Sequence, residues 1–196
     1  MVESSAGHPI ATPQAVLAFW REAGPDRWFT KDEAFDSAIR ETFLATYEAA
    51  AAGKLQDWQA TAEGALALVI VLDQFPRNMF RGEARCYAAD PLARAAANLA
   101  LKRGYDQDVP EAERTFFFLP FTHSEDPVDQ KRCVELYRAV GDEDGLKYAL
   151  DHAEIIRRFG RFPHRNAMLG RATTPEEQAF LDSGGFKGKH RRLEER

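Results

Sequence analysis

Cysteine is almost absent from this 196-residue chain: only Cys86 and Cys133 occur, far apart and in no Cys-x-x-Cys pairing. That excludes a disulfide framework or a thiolate zinc site and fits a reducing compartment. An excess of basic charge is missing as well. With 26 Lys and Arg against 31 Asp and Glu the formal charge is -5, which argues against duplex nucleic acid or an anionic membrane as a partner, since both attract surplus cations. The longest purely apolar run, Ala65 to Leu72, falls far short of the roughly 20 residues a membrane span requires. The first residues, Met1 to His8, lack the basic region and apolar run of a signal peptide. The expectation is a cytoplasmic protein. Gly-x-Gly-x-x-Gly after a strand, a phosphate loop with Gly-Lys-Ser/Thr and Gly-x-Ser-x-Gly are all absent, so dinucleotide, nucleotide-triphosphatase and serine-hydrolase readings have no support and no cofactor is expected.

What the chain does have is a dense set of helix signals. Thr12-Pro13, Asp90-Pro91, Asp126-Pro127 and Thr174-Pro175 each place a capping residue before a proline that suits the first helical turn. Thr30 with Glu33, and Thr174 with Glu177, have the spacing of capping boxes. Apolar stripes of helical period follow: Phe35, Ile39, Phe43, Tyr47; then Leu92, Ala95, Ala96, Leu99; then Cys133, Leu136, Tyr137, Val140. The run Leu66 to Leu72 is rich enough in β-branched residues for a strand. No second comparable run exists to pair with it, so it reads as a central helix buried all round. The resulting expectation is an all-α chain of about eight helices, with starts near 13, 31, 58, 91, 111, 127, 143 and 175. It comprises a flexible amino terminus over residues 1–11, one all-α domain over 12–183 and a loosely ordered basic tail over 184–196.

One internal echo stands out. Gln74-Phe-Pro-Arg-Asn-Met-Phe-Arg-Gly82 resembles Arg161-Phe-Pro-His-Arg-Asn-Ala-Met-Leu-Gly-Arg171. If proline stops a helix before each copy, the Arg and Asn side chains can bond its last carbonyls and complement its dipole. The alternative is a ligand-binding role for Asp73, Arg77, Asn78 and Arg81 in the first copy and Arg161, Arg165, Asn166 and Arg171 in the second. Residues 157–171 carry five arginines and no acid, leaving -10 on the rest of the chain. Such clustering points to carboxylates of the same protein or to an external anion held by guanidinium forks.

Three histidines lie away from the ends, and His8 and His190 lie near them. His152 continues the stripe Tyr148, His152, Ile155, Phe159 and faces inward, as a satisfied core group or as a ligand contact. His123 and Glu125 precede the Asp126-Pro127 helix start, where a cap needs neither of them, beside the hydrophobic stretch Phe116 to Phe121. His123, Glu125 and His164 are therefore the candidate acid/base residues. By type they would suit zinc or iron, but no His-x-x-x-His pair fixes two on one helical face, so no metal site is assigned.

Taken together, Phe19-Trp20, Trp28-Phe29, Leu72 through Arg81, Pro120-Phe-Thr-His-Ser-Glu125 with Gln130, and His152 through Asn166 to Leu169-Gly-Arg171 resemble a widespread family of uncharacterised bacterial proteins, domain of unknown function 924. The likeness runs from about residue 14 to about residue 188. It implies a right-handed helical array of the tetratricopeptide-like superfamily, and no established activity, cofactor or substrate. Two functions stay open: a His/Arg/Glu pocket for a small anionic molecule, with or without acid/base chemistry, and a helical adaptor that grips a protein or peptide segment and uses the same clusters as braces.

Overall fold

The computed structural model describes residues 9–185, in which no strand occurs. Residues 1–8 and 186–196, with His8, His190 and most of the expected basic tail, lie outside the described residues. The helices are α1 (Pro13–Ala23), α2 (Pro25–Trp28), α3 (Glu33–Ala51), α4 (Ala62–Val69), α5 (Phe75–Met79), α6 (Asp90–Lys102), α7 (Glu111–Arg114), α8 (Leu119–Thr122), α9 (Pro127–Val140), α10 (Glu143–Phe159) and α11 (Pro175–Asp182). They fall into two compact units. The first takes in 9–81 and 85–117 of the described residues, the second 82–84 and 118–185.

In the first unit α1 packs on α4, α3 on α5 and α4 on α6. The Thr12 hydroxyl caps α1 by accepting from Ala15 N–H. The stripe Phe35, Ile39, Phe43 and Tyr47 is buried as its spacing predicts, and Ala65 through Leu72 is buried on every side. Each large buried side chain of this kind contributes about 1.5–3 kcal/mol of burial free energy. Aromatic rings interlock over the same core: Trp20 lies 5.9 Å from Trp28, 5.7 Å from Phe75 and 5.6 Å from Phe116.

Several local expectations are corrected. Asp32 rather than Thr30 caps α3, accepting from Ala34 and Phe35 N–H, because the Thr30 hydroxyl donates to the Asp26 carbonyl. Asp90 is the first residue of α6 and Ala89 its cap. The buried face of α6 is Ala93, Ala96, Ala97 and Ala100, while Leu92 is 40% exposed. The all-round buried α4 lets only small side chains approach closely, so packing overrides the leucine stripe. Residues 56–60 form a 3₁₀ turn, and α4 starts after Thr61, whose hydroxyl accepts from Gly64 N–H.

Proline does not stop the helix at Phe75-Pro76. Between α4 and α5 the chain passes through a wider π-helical turn, Ile70–Gln74, closed by Phe75 N–H on the Ile70 carbonyl. The wider turn lets a residue without an N–H enter a continuing helix. In the second unit α9 and α10 form an antiparallel hairpin through Gly141 and Asp142. It is Gly160, at φ 69°, that ends α10 ahead of the second Phe-Pro. The caps expected at Asp126 and Thr174 are present, the latter as a full capping box with Glu177.

Candidate functional site

Each copy of the echo builds a polar cluster inside its own unit. In the first unit the π-helical turn puts Asp73 and Gln74 on the buried side of the helix, at 0% and 6% exposure. Arg77, one turn on, lies 3.3 Å from Asp73 and donates to both carboxylate oxygens of Asp90 at 2.9 and 3.1 Å. It also donates to the Asp73 carbonyl at 2.7 Å. Burial disfavours charge on this guanidinium, yet Asp73 and Asp90 outweigh it and hold the arginine ionised. A second grip forms at the start of α3, where Asn78 donates to Asp36 at 2.7 Å and Arg81 donates to both oxygens of the same carboxylate at 2.7 and 2.9 Å. All four first-copy candidates therefore engage partners within their own unit.

The second copy repeats the grip on a different carboxylate. Arg161 donates to both oxygens of Glu177 at 2.6 and 2.9 Å, and Asn166 donates to it at 3.2 Å. Glu177, 3% exposed at the third position of α11, is driven down to about 2, chiefly by the Arg161 hydrogen bond, with Thr174 N–H and Asn166 assisting. In both copies, then, an arginine and an asparagine seize one acid in the first turn of another helix. Asp36, Asp90 and Glu177 are the carboxylate partners of these arginines; the sequence showed Asp90 only as a cap and Glu177 only as a capping-box residue, and Asp36 not at all, because an acid in a first helical turn already has a local explanation.

Around Phe162 the second copy does more. Glu125 accepts Phe162 N–H at 2.7 Å and both forks of Arg171 at 2.8 and 3.1 Å. Its burial alone would raise its pKa, but Arg171 and that amide more than offset this, and it lies below the ordinary carboxylate range. Arg165 donates to the His123 carbonyl at 3.0 Å and stacks 4.6 Å from the Phe162 ring centroid. The rings of His152 and His164 each lie 5.6 Å from Phe162. His152, 2% exposed, donates from Nδ1 to the Tyr148 carbonyl at 2.7 Å, because a carbonyl can only accept. His164 is pushed down to about 4, first by burial and then by Arg165, with His123 and Arg171 acting in the same sense and Glu125 opposing. Its imidazole is neutral at physiological pH.

Gln130 completes the frame. Buried on α9, its Nε2 lies 3.2, 2.8 and 2.6 Å from the carbonyls of Phe121, Thr122 and Ser124, so with Arg165 on His123 four successive carbonyls are held by two side chains. His123, Glu125, His152, His164, Arg165 and Arg171 thus share one cluster in the second unit, with Arg161 and Asn166 anchored to Glu177 beside it. Arg157 and Arg158 instead pair with Glu154 and Glu176 on exposed helix surface. Among the described residues no group of three or more His, Cys, Asp or Glu side chains is placed to hold a metal ion, and no helix is long and apolar enough to cross a membrane.

These features define an all-helical protein in which clustered arginines are tied to carboxylates at helix starts. A family model described as bacterial protein of unknown function, DUF924, matches residues 16–185, and the chain belongs to that family. A solved structure of a protein of unknown function from Agrobacterium tumefaciens is similar at 49% identity and a TM-score of 0.85, covering 88% of this chain and 97% of that one. The comparison with curated proteins found no match.

Proposed function

We propose that the second unit binds a small anionic molecule where residues 122–126 meet the 161–171 loop, while Asp73, Arg77, Asn78 and Arg81 act as braces of the first unit. The observation that supports this is the convergence of Arg165 and Arg171 on the His123 and Glu125 segment beside His164, where Arg165, His123 and Arg171 disfavour protonation of that histidine and Glu125 favours it. A locally positive, partly dehydrated site attracts an anion far more strongly than a solvated surface does. Arg165 and Arg171 would supply the charge, the neutral His164 a single hydrogen bond, and Phe162 an aromatic floor. Glu125, ionised and held by Arg171, orients that arginine rather than moving protons, so any proton transfer falls to His123 or His164. Cys86 and Cys133, both buried and neither in a disulfide, accord with a reducing cytoplasm, and the α9–α10 hairpin is the unit that tetratricopeptide-like arrays stack.

A second reading has its own support. Arg77, Arg81, Arg161 and Arg171 are engaged by carboxylates, as an adaptor braced between helices requires. A thermal-shift series on the full chain separates the two. Inorganic phosphate and acetate, at constant ionic strength, should raise Tm by a few degrees, since a ligand at a hundred times its Kd adds about 2.7 kcal/mol. The response should weaken in His164→Ala, which removes one hydrogen bond of about 0.5–1.5 kcal/mol. Absence of any shift with either anion would sink the anion reading and leave the adaptor.

A further inference from the structure

Beneath the ion pairs of the 161–171 loop, two polar atoms are shut away from solvent and have no hydrogen-bond partner among the described residues: Asn166 Oδ1 and Arg171 Nε. They belong to neighbouring residues in space, because Arg171 N–H donates to the Asn166 carbonyl at 2.9 Å. The amide orientation that leaves Oδ1 over is fixed by chemistry. Asn166 Nδ2 faces the Glu177 carboxylate and the Thr173 hydroxyl, and Glu177 is held ionised by Arg161. Turning the amide round would set its oxygen against an anion, acceptor to acceptor. Asn166 is 0% exposed, so its oxygen is out of contact with bulk water, and a buried polar group left in that state is costly. One atom is an acceptor and the other a donor. A hydroxyl, which donates once and accepts, carries both of the groups that these atoms lack.

Arg171 also ties this pair to the proposed anion site. Its forks hold Glu125 and the Phe162 carbonyl, it contributes to the field at His164, and its side chain is 23% exposed although Nε is buried. One residue therefore reaches from the solvent edge of the cluster to the atoms left over within it.

We propose that the molecule bound by the second unit is a small hydroxylated anion, whose hydroxyl donates to Asn166 Oδ1 and accepts from Arg171 Nε while its charged group lies beside Arg165 and His164. The inference rests on the anion reading above and narrows it from anions in general to hydroxy acids. No covalent step is involved.

The test compares glycolate with acetate on the full chain, by calorimetric titration and thermal shift at matched ionic strength; the two differ by one hydroxyl next to the carboxylate. Glycolate should bind about tenfold more tightly, the equivalent of about 1.4 kcal/mol. That advantage should disappear in Asn166→Ala and in Arg171→Lys, which keeps a positive charge facing Glu125 but removes the Nε donor. Should Asn166→Ala fail to fold, the comparison in the unaltered protein and in Arg171→Lys still decides. Equal affinity for glycolate and acetate would overturn the hydroxyl inference and leave the anion reading standing, with an internal water satisfying the two atoms. Failure of both anions, and of phosphate, to bind would overturn the anion reading itself.

Discussion

The two Phe-Pro segments share a sequence and a grip, yet they sit in opposite settings. The first lies inside a continuing helix, carried past proline by a π-helical turn, and its Asp73, Arg77, Asn78 and Arg81 engage partners within the first unit. The second lies in a loop after Gly160, where main-chain groups need side-chain partners. There Arg165 turns to the His123 carbonyl and Arg171 to the Phe162 carbonyl as well as to Glu125. A motif placed in a helix becomes a brace; the same motif in a loop braces and also gathers unlike groups around one ring. That difference is why the proposed site falls in the second unit.

The comparison can be broken most forcefully in the first unit. Arg77→Ala would leave Asp73 and Asp90 buried without their shared cation, and denaturant unfolding should show a loss of about 3–5 kcal/mol. A loss below about 1 kcal/mol would show that water reaches the pair and that the first copy is not a buried brace. Next comes Glu177→Gln, which removes an ionised acceptor from Arg161, Asn166 and Thr174 at once; a loss of about 2–3 kcal/mol near neutral pH is expected.

The same residue should make itself visible in the pH dependence. Glu177 in the folded chain lies near 2, below its ordinary 4.5, so the folded state releases its proton more readily than the unfolded one. Its contribution is complete above the ordinary carboxylate value and is lost as pH falls toward 2. Stability measured from pH 6 down to pH 2 should therefore decline more gently in Glu177→Gln than in the parent. Parallel profiles would place the titration elsewhere.

Smaller effects sharpen the parallel between the copies. Asn78→Ala and Asn166→Ala each remove one hydrogen bond to a shared carboxylate, and both should cost about 1–2 kcal/mol in equilibrium unfolding; a large disparity would mean that the shared grip is only geometric. At the bottom of the scale, Arg157→Ala breaks a pair with Glu154 in which the arginine is 72% exposed. It should change stability by less than about 0.5 kcal/mol, and any larger loss would show that exposed pairs also carry the fold.

Much of this architecture was legible residue by residue. Thr12, Asp126 and the Thr174–Glu177 box are read within four residues of chain, and so is the stripe from Phe35 to Tyr47, because caps and helical periodicity are local. The leucine stripe of α6 misled because helix rotation answers to the neighbour: α4 admits alanines, and Leu92 is left outward. Proline at 76 misled for a related reason, since only the structure shows the π-helical turn that accommodates it. Within the site, His123, Glu125, His164 and the loop arginines could be singled out as a surplus over what capping needs, and Gln130 by its place in the family motif, but Asp36 and Asp90 could not be recognised as arginine partners, because each has an adequate local explanation at a helix start.

The amino-acid sequence by itself determined that the chain is helical, where most helices begin, that its basic charge is concentrated in residues 157–171, and that two segments repeat one pattern. Only the tertiary structure decided which acid each arginine meets. Those partners lie 45 residues away for Arg81 and Asp36, 16 for Arg161 and Glu177 and 46 for Arg171 and Glu125. Helix signals act across a single turn, whereas an ion pair depends on where packing carries two distant helices, and no local pattern of residues records that.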